Sequence, residues 1–118
     1  MPRKKILIVD DEPDIRECLQ FMLEEDGYLT QTAADGGALD DLLGFQPDLI
    51  LLDIFLSGSD GRAICRQLKS HSSTQHIPVV LMSAHGKVAA TLAESGADAF
   101  VAKPFEMDVL LTTIHHYV

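Results

Sequence analysis

Residues 47–53, PDLILLD, decide the fold: four consecutive aliphatic residues, Leu49 to Leu52, are framed by Asp48 and Asp53. A strand with one wet face alternates apolar and polar residues, whereas a run without alternation is buried on both faces, as in a parallel sheet covered by helices. A strand is therefore predicted over Asp48 to Leu52, with Asp53 at its carboxyl end. Three further runs have the same character: Ile6 to Val9, Val79 to Met82 and Ala99 to Ala102, each bounded by turn or polar residues. Leu29 to Thr32 is shorter, more polar and follows Gly27, which suits an edge strand.

Helical patterns fill the intervals. Ile15, Cys18, Leu19, Met22 and Leu23 recur at steps of three and four, behind Pro13 and ahead of Gly27, which predicts an amphipathic helix with a proline in its first turn. Ala38, Leu39, Leu42 and Leu43 mark a second helix ending at Gly44, and Ile64, Cys65 and Leu68 a third within Gly61 to Lys69. Val88 to Glu94, closed by Gly96, and Met107 to His116 complete the set. Five strand–helix units in strict alternation, joined by right-handed crossovers, give an α/β fold: a three-layer (βα)5 sandwich around a parallel five-stranded sheet.

The 118 residues, 47% of them hydrophobic and 23% charged, make one globular domain spanning 1–118 and leave no room for a second core. Nine basic against eighteen acidic residues give a net charge of −9, which argues against nucleic acid or an anionic membrane as a partner and favours a cation. Met1 to Lys5 is basic but leads into no signal-peptide core, and no apolar run is long enough to span a bilayer, so a cytoplasmic location is expected. Cys18 and Cys65 lie among apolar residues at helical intervals and are expected to be buried free thiols.

Ligands of open parallel sheets gather beyond the carboxyl ends of the strands. There the sequence places Asp10 and Asp11 after the first strand, Asp53 after the third, Ser83 after the fourth and Lys103 followed by Pro104 after the fifth. Each has an ordinary explanation alone, such as a helix cap or a solvated lysine. Together they bring carboxylates, a hydroxyl and an ammonium to one end of the sheet. Two carboxylates ~4 Å apart repel by about 4 kcal/mol at an effective dielectric near 20, so the free site needs a cation. Mg²⁺ (or Mn²⁺) suits it, taking hard oxygen ligands while keeping waters and a phosphate oxygen. Asp11 and Asp53 are the expected direct ligands, with Asp10 supporting. Such a site stabilises a phosphoryl group in flight: Asp53 attacks as nucleophile, Lys103 and the metal offset charge, and the Ser83 hydroxyl bonds a phosphoryl oxygen.

ILIVDDEPD, PDLILLDIFLSGSDG, PVVLMSAH and GADAFVAKPF, in this order and spacing, resemble the response-regulator receiver domain of bacterial two-component signalling, from about Lys5 to the end of the chain. The resemblance implies a flavodoxin-like sheet of order 2-1-3-4-5. It implies phosphorylation of Asp53 from a phosphohistidine on a sensor histidine kinase or histidine phosphotransfer protein, with the backbone carbonyl of Phe55 as a further metal ligand. Ser83 takes the switch-hydroxyl position and Phe100 the switch aromatic, acting on the surface of the fourth helix, fifth strand and fifth helix. The bland alternative for Phe100 is a core role. Lys103 and Pro104 match a pair joined by a cis peptide in the family. The chain then carries no output domain; the implied partners are the phosphodonor and a downstream protein or output domain of unknown identity. Such a domain is a phosphoryl acceptor assisting its own phosphorylation and dephosphorylation, not an enzyme in the usual sense.

Some positions depart from the pattern. Ser57 replaces the family's usual proline and Ser59 a larger apolar residue, so a looser phosphoacceptor loop is expected. The interval from Ser83 to Lys103 is slightly short and alanine-rich, so the fourth helix is expected to be short or displaced. Phe55 and His85 occupy positions that tune dephosphorylation in the family. His115 and His116, at the end of the last helix, and His71 and His76, around a serine-rich loop, read as solvated rather than metal-binding. Two enzymatic alternatives fail: a haloacid-dehalogenase-type phosphatase wants an acid where Phe55 stands, and DDEPD would repel a dinucleotide pyrophosphate. A receiver-like module that binds partners without phosphorylation is the remaining rival.

Overall fold

The computed structural model describes residues 3–35, 43–56, 58–84 and 93–118. Five strands, β1 (Lys5–Val9), β2 (Leu29–Ala33), β3 (Leu49–Asp53), β4 (Val79–Ser83) and β5 (Ala99–Ala102), form one sheet. All its pairings are parallel, in the spatial order β2-β1-β3-β4-β5. The expected flavodoxin-like order is therefore present, with β2 at an edge.

Three helices are described: α1 (Pro13–Glu25), α2 (Gly61–Ser70) and α3 (Met107–Tyr117). Strand alternation sends the unbroken apolar runs to both faces at once. Ile6, Ile8, Leu49, Leu51, Val80 and Met82 pack with Leu19, Met22 and Leu23 of α1 and with Leu110 and Ile114 of α3. The intervening Leu7, Val9, Ile50, Leu52, Val79 and Leu81 pack with Ile64, Cys65 and Leu68 of α2. Every one of these β1, β3 and β4 side chains is fully buried, each contributing about 1.5–3 kcal/mol relative to exposure. The sandwich is thus held from both sides by the runs that announce it in sequence.

β3 is shifted by one residue at each end. It begins at Leu49, while Asp48 is tied to Lys5 twice: its carboxylate accepts the Lys5 backbone amide at 2.8 Å and its own N–H donates to Lys5 O at 2.7 Å, pinning the foot of β1. Asp53 belongs to the strand it closes, opposite Met82 of β4. α1 ends as Gly27 predicts: Gly27, at φ 96°, sends its N–H to Glu24, and Tyr28 sends its own to Leu23, a left-handed cap that satisfies the last carbonyls.

One expectation is overturned. Cys65 is buried, but Cys18 is exposed, because the buried stripe of α1 runs through Leu19, Met22 and Leu23 and Cys18 falls beside it, one residue round the helix. The predicted second helix, marked by Ala38 to Leu43 and ending at Gly44, lies outside the described residues up to residue 42, as do residues 88–92 of the fourth, Ser57 and His85. Leu43–Phe45 is a 3-10 turn with Gly44 inside it. Gly96 has a φ of 75° after helical residues 93–95, as expected of a terminating glycine.

After Asp53 a two-residue antiparallel pair, Phe55–Leu56 with Ser59–Asp60, leads into α2. Asp60 caps that helix, its Oδ1 accepting the Arg62 N–H at 2.8 Å while the Arg62 guanidinium grips the same carboxylate. The Arg62 side chain holds the Asp60 carboxyl below its usual pKa. A depressed folded-state pKa contributes stability above the unfolded value that is lost as pH falls through the folded one. Asp60→Ala is therefore expected to cost about 1 kcal/mol at neutral pH. That gap from the parent, read by urea unfolding, should narrow below about pH 4; a gap constant with pH would show that the charge does not matter.

Candidate functional site

The carboxyl ends of β1, β3, β4 and β5 converge because the backbone ladder continues past the strands. Asp10 N–H donates to Ala33 O at 3.0 Å, Ile54 N–H to Met82 O at 3.0 Å, and Lys103 N–H to Ser83 O at 2.9 Å. The first loop residues after β1, β3 and β5 are thus held in register with their neighbours. The Lys103–Pro104 peptide is cis.

Lys103 is the hub. Its Nζ lies 2.7 Å from Asp10 Oδ2 and 3.4 Å from Asp53 Oδ2, so one ammonium is shared between two carboxylates. Asp10 is fully buried and Asp53 and Ser83 nearly so, at 4% and 2% exposure. Burying charge is tolerated only with compensation. Burial works against the Lys103 ammonium, but the hydrogen bond and charge of Asp10, with Asp53 behind them, outweigh it and raise its pKa. Asp53 shifts the other way from a well-paired carboxylate. Burial pushes its pKa up, Asp10 adds to that push, and Lys103 together with the Phe55 N–H hydrogen bond only partly offsets them. The site therefore carries negative charge that its one described lysine does not fully balance.

Asp11 follows Asp10 directly, and a carboxylate oxygen from each of Asp10, Asp11 and Glu12 lies within 4.8 Å of the others. These are hard oxygen donors around a strained negative centre, with Asp53 reaching the same ammonium as Asp10. That donor set and that charge fit Mg²⁺ or Mn²⁺, not a soft thiophilic metal. Asp10, Asp11 and Glu12 could together hold such an ion, and Asp53 shares the Lys103 ammonium with Asp10. Sequence reasoning passed over Glu12 as a member of this acid group, although the DDE run displayed it. It also missed Arg16, whose Nη1 donates to the Asp10 carbonyl at 2.7 Å; no local motif announces a contact across six residues.

Phe100 is half-buried against the α2-side core, a position compatible with both of its readings. The expected solvation of the histidines holds for His71, His76, His115 and His116, all exposed; His115 additionally meets Asp26 at 2.7 Å. Beside the acids, a hollow of about 490 Å³ is bordered by Ile15, Cys18, Pro104 and Phe105, with Glu12 and Lys103 among its lining. A hollow of about 520 Å³ lies among Gln46, Asp48, Ser73 and His76 and touches none of the site residues, so size alone does not locate the chemistry.

Comparison with known proteins agrees with this fold. Residues 6–115 match the family model of the response regulator receiver domain. The transcriptional regulatory protein YxdJ of Bacillus subtilis is 44% identical over 113 residues, covering 93% of this chain and 48% of YxdJ. The chain thus spans about half the length of that curated relative. The signal receiver domain of a signal transduction histidine kinase from Syntrophus aciditrophicus superposes with a TM-score of 0.89 at 35% identity, covering 97% of this chain and 89% of that one. The chemotaxis protein CheY4 of Vibrio cholerae superposes with a TM-score of 0.90 at 26% identity, covering 99% of this chain and 100% of that one. Among the described residues, no helix is long and apolar enough to cross a membrane.

Proposed function

From the premise that this chain belongs to the receiver-domain family of two-component response regulators, we propose that it receives a phosphoryl group on Asp53 in a Mg²⁺-dependent transfer. The donor is a phosphohistidine on a sensor histidine kinase or histidine phosphotransfer protein. The observation that carries this reading is the Lys103 ammonium shared between the buried carboxylates of Asp10 and Asp53, a charge arrangement poised to change when a phosphoryl group arrives.

In this reading an Asp53 carboxylate oxygen attacks phosphorus. A P–O bond forms as the P–N bond breaks, and the bonding pair returns to the donor imidazole. The raised pKa of Asp53 marks a carboxylate whose negative charge is poorly compensated in the free site, so the further charge of an acyl phosphate calls for an added cation. Mg²⁺, when bound, offsets charge on the transferring oxygens and relieves the repulsion among Asp10, Asp11 and Asp53. Lys103 turns from Asp10 toward a phosphoryl oxygen, and the buried Ser83 hydroxyl supplies a hydrogen bond to another. Adding ~1.5 to 2 negative charges beside these groups biases the β4–β5 ends, through Phe100, toward a second arrangement of the surface formed with the fourth and fifth helices. The apolar hollow bordered by Ile15 and Phe105 offers a donor protein a foothold beside the acids. The readout partner is a downstream protein or an output domain, and the setting is cytoplasmic. The domain itself spans 1–118.

Incubation with Mg²⁺ and a small phosphodonor, followed by intact mass, tests the chemistry. One phosphoryl adduct is expected on the parent chain and none on Asp53→Asn or without metal. A parent chain that stays unmodified under saturating donor and metal would move the assignment to a receiver-like module signalling without phosphorylation.

A further inference from the structure

Asp10 is fixed on every polar atom. Its N–H goes to Ala33 O at 3.0 Å, its Oδ1 accepts the Glu12 N–H at 2.9 Å, its Oδ2 accepts Lys103 at 2.7 Å, and its carbonyl accepts Arg16 Nη1 at 2.7 Å. Of the two side chains among these partners, Lys103 is the one the phosphoryl group recruits in the reading above. Arg16 differs in kind. It is seated on the first turn of α1, its own N–H bonded to Glu12 O at 3.1 Å, and it is half-buried. Its guanidinium takes a main-chain oxygen, so this bond holds the acid turn without occupying an Asp10 carboxylate oxygen.

We infer that Arg16 is a positioning residue for the cation site: it clamps the Asp10–Asp11 turn to α1 so that the carboxylates remain convergent when Lys103 leaves Asp10. The inference rests on the receiver reading and deepens it. Two effects of removing Arg16 oppose each other, which makes the sign informative. Loss of a positive charge near an acid cluster favours a bound divalent cation through simple electrostatics. Loss of a hydrogen bond that orients the ligand-bearing turn disfavours it, and such outer partners of metal ligands are commonly worth tenfold or more in affinity. The guanidinium's hydrogen bond goes to the Asp10 carbonyl and not to its carboxylate, so orientation should dominate.

The test is Mg²⁺ titration by calorimetry on the full chain, alongside amide exchange in metal-free buffer, for the parent, Arg16→Met and Arg16→Lys. Methionine keeps the aliphatic stem but donates nothing; lysine keeps charge and donor. Arg16→Met is expected to weaken Mg²⁺ binding about tenfold and to speed exchange of the Glu12 amide by a similar factor, with Arg16→Lys recovering most of both. A purely structural role would lower the melting temperature yet leave the Mg²⁺ affinity of the folded protein unchanged. Unchanged or tighter binding by Arg16→Met, with the parent binding Mg²⁺ and forming its adduct, overturns the positioning role alone. A parent that fails to bind Mg²⁺ overturns the receiver chemistry and this inference with it.

Discussion

Lys103→Met is expected to lower stability by about 3 kcal/mol at neutral pH without divalent metal, and to make Mg²⁺ a far stronger stabiliser than it is for the parent. Methionine preserves most of the side-chain bulk and removes the ammonium, with its charge and its hydrogen bonds. The Asp10 carboxylate, fully buried, then loses its 2.7 Å ion pair, and Asp53 loses the one at 3.4 Å. Removing one partner of a buried pair costs about 3–5 kcal/mol. The lower figure applies because Asp10 keeps the Glu12 amide and the site lies at the solvent end of the sheet. In thermal melts this is a fall of roughly 10 °C. Mg²⁺ at a hundred times its dissociation constant returns about 2.7 kcal/mol, so with metal the variant's melting curve should nearly return to that of the metal-free parent.

The pH dependence has a definite sign. Burial already raises the Asp53 pKa and Lys103 opposes that rise, so the variant raises it further. A carboxyl with a raised folded-state pKa destabilises when ionised and is relieved as pH falls through that pKa. The deficit of Lys103→Met should accordingly shrink on mild acidification. A loss below about 1 kcal/mol at neutral pH would mean that the ammonium is not what compensates these acids.

The fold was legible where burial acted on both faces of a strand. Leu49 to Leu52 and Val79 to Met82 show no alternation because nothing on either face is wet, and each divides its side chains between the two cores. Strand order came from family resemblance, since parallel crossovers of this length do not by themselves choose neighbours. Cys18 was misplaced because helical spacing resolves an apolar stripe only to about one residue on either side. Within the site, Asp10, Asp11, Asp53, Ser83 and Lys103 were readable because each sits at a strand end, where chain position maps directly onto space. Arg16 was not, since its contact depends on how α1 leans on the β1 loop. The unequal sharing of Lys103, nearer Asp10 than Asp53, is likewise a property of packing.

Gly61→Ala should be the most damaging single methyl group in the region of Asp53, costing at least about 3 kcal/mol. Gly61 opens α2 directly behind Asp53, and its N–H donates to Ile54 O at 2.7 Å. A Cβ there would collide with the Asp53 carbonyl oxygen and lie 2.9 Å from both the Asp53 carbonyl carbon and Ile54 Cα. All three are main-chain atoms, so no rotamer change can make room; either the helix start or the Asp53–Ile54 peptide must move. Moving that peptide also disturbs the Phe55 N–H bond to the Asp53 carboxylate, so the proposed phosphorylation should slow in whatever fraction remains folded. Gly44→Ala is the matched control: its Cβ meets no atom within 4 Å among the described residues, and its effect should stay within about 0.5 kcal/mol. Urea unfolding of both variants, with adduct formation measured below the transition, separates lost stability from lost positioning. Parent-like stability in Gly61→Ala would require the start of α2 to stand off from the Asp53 peptide, and Asp53 would then owe its position to β3 and the ladder to β4 alone.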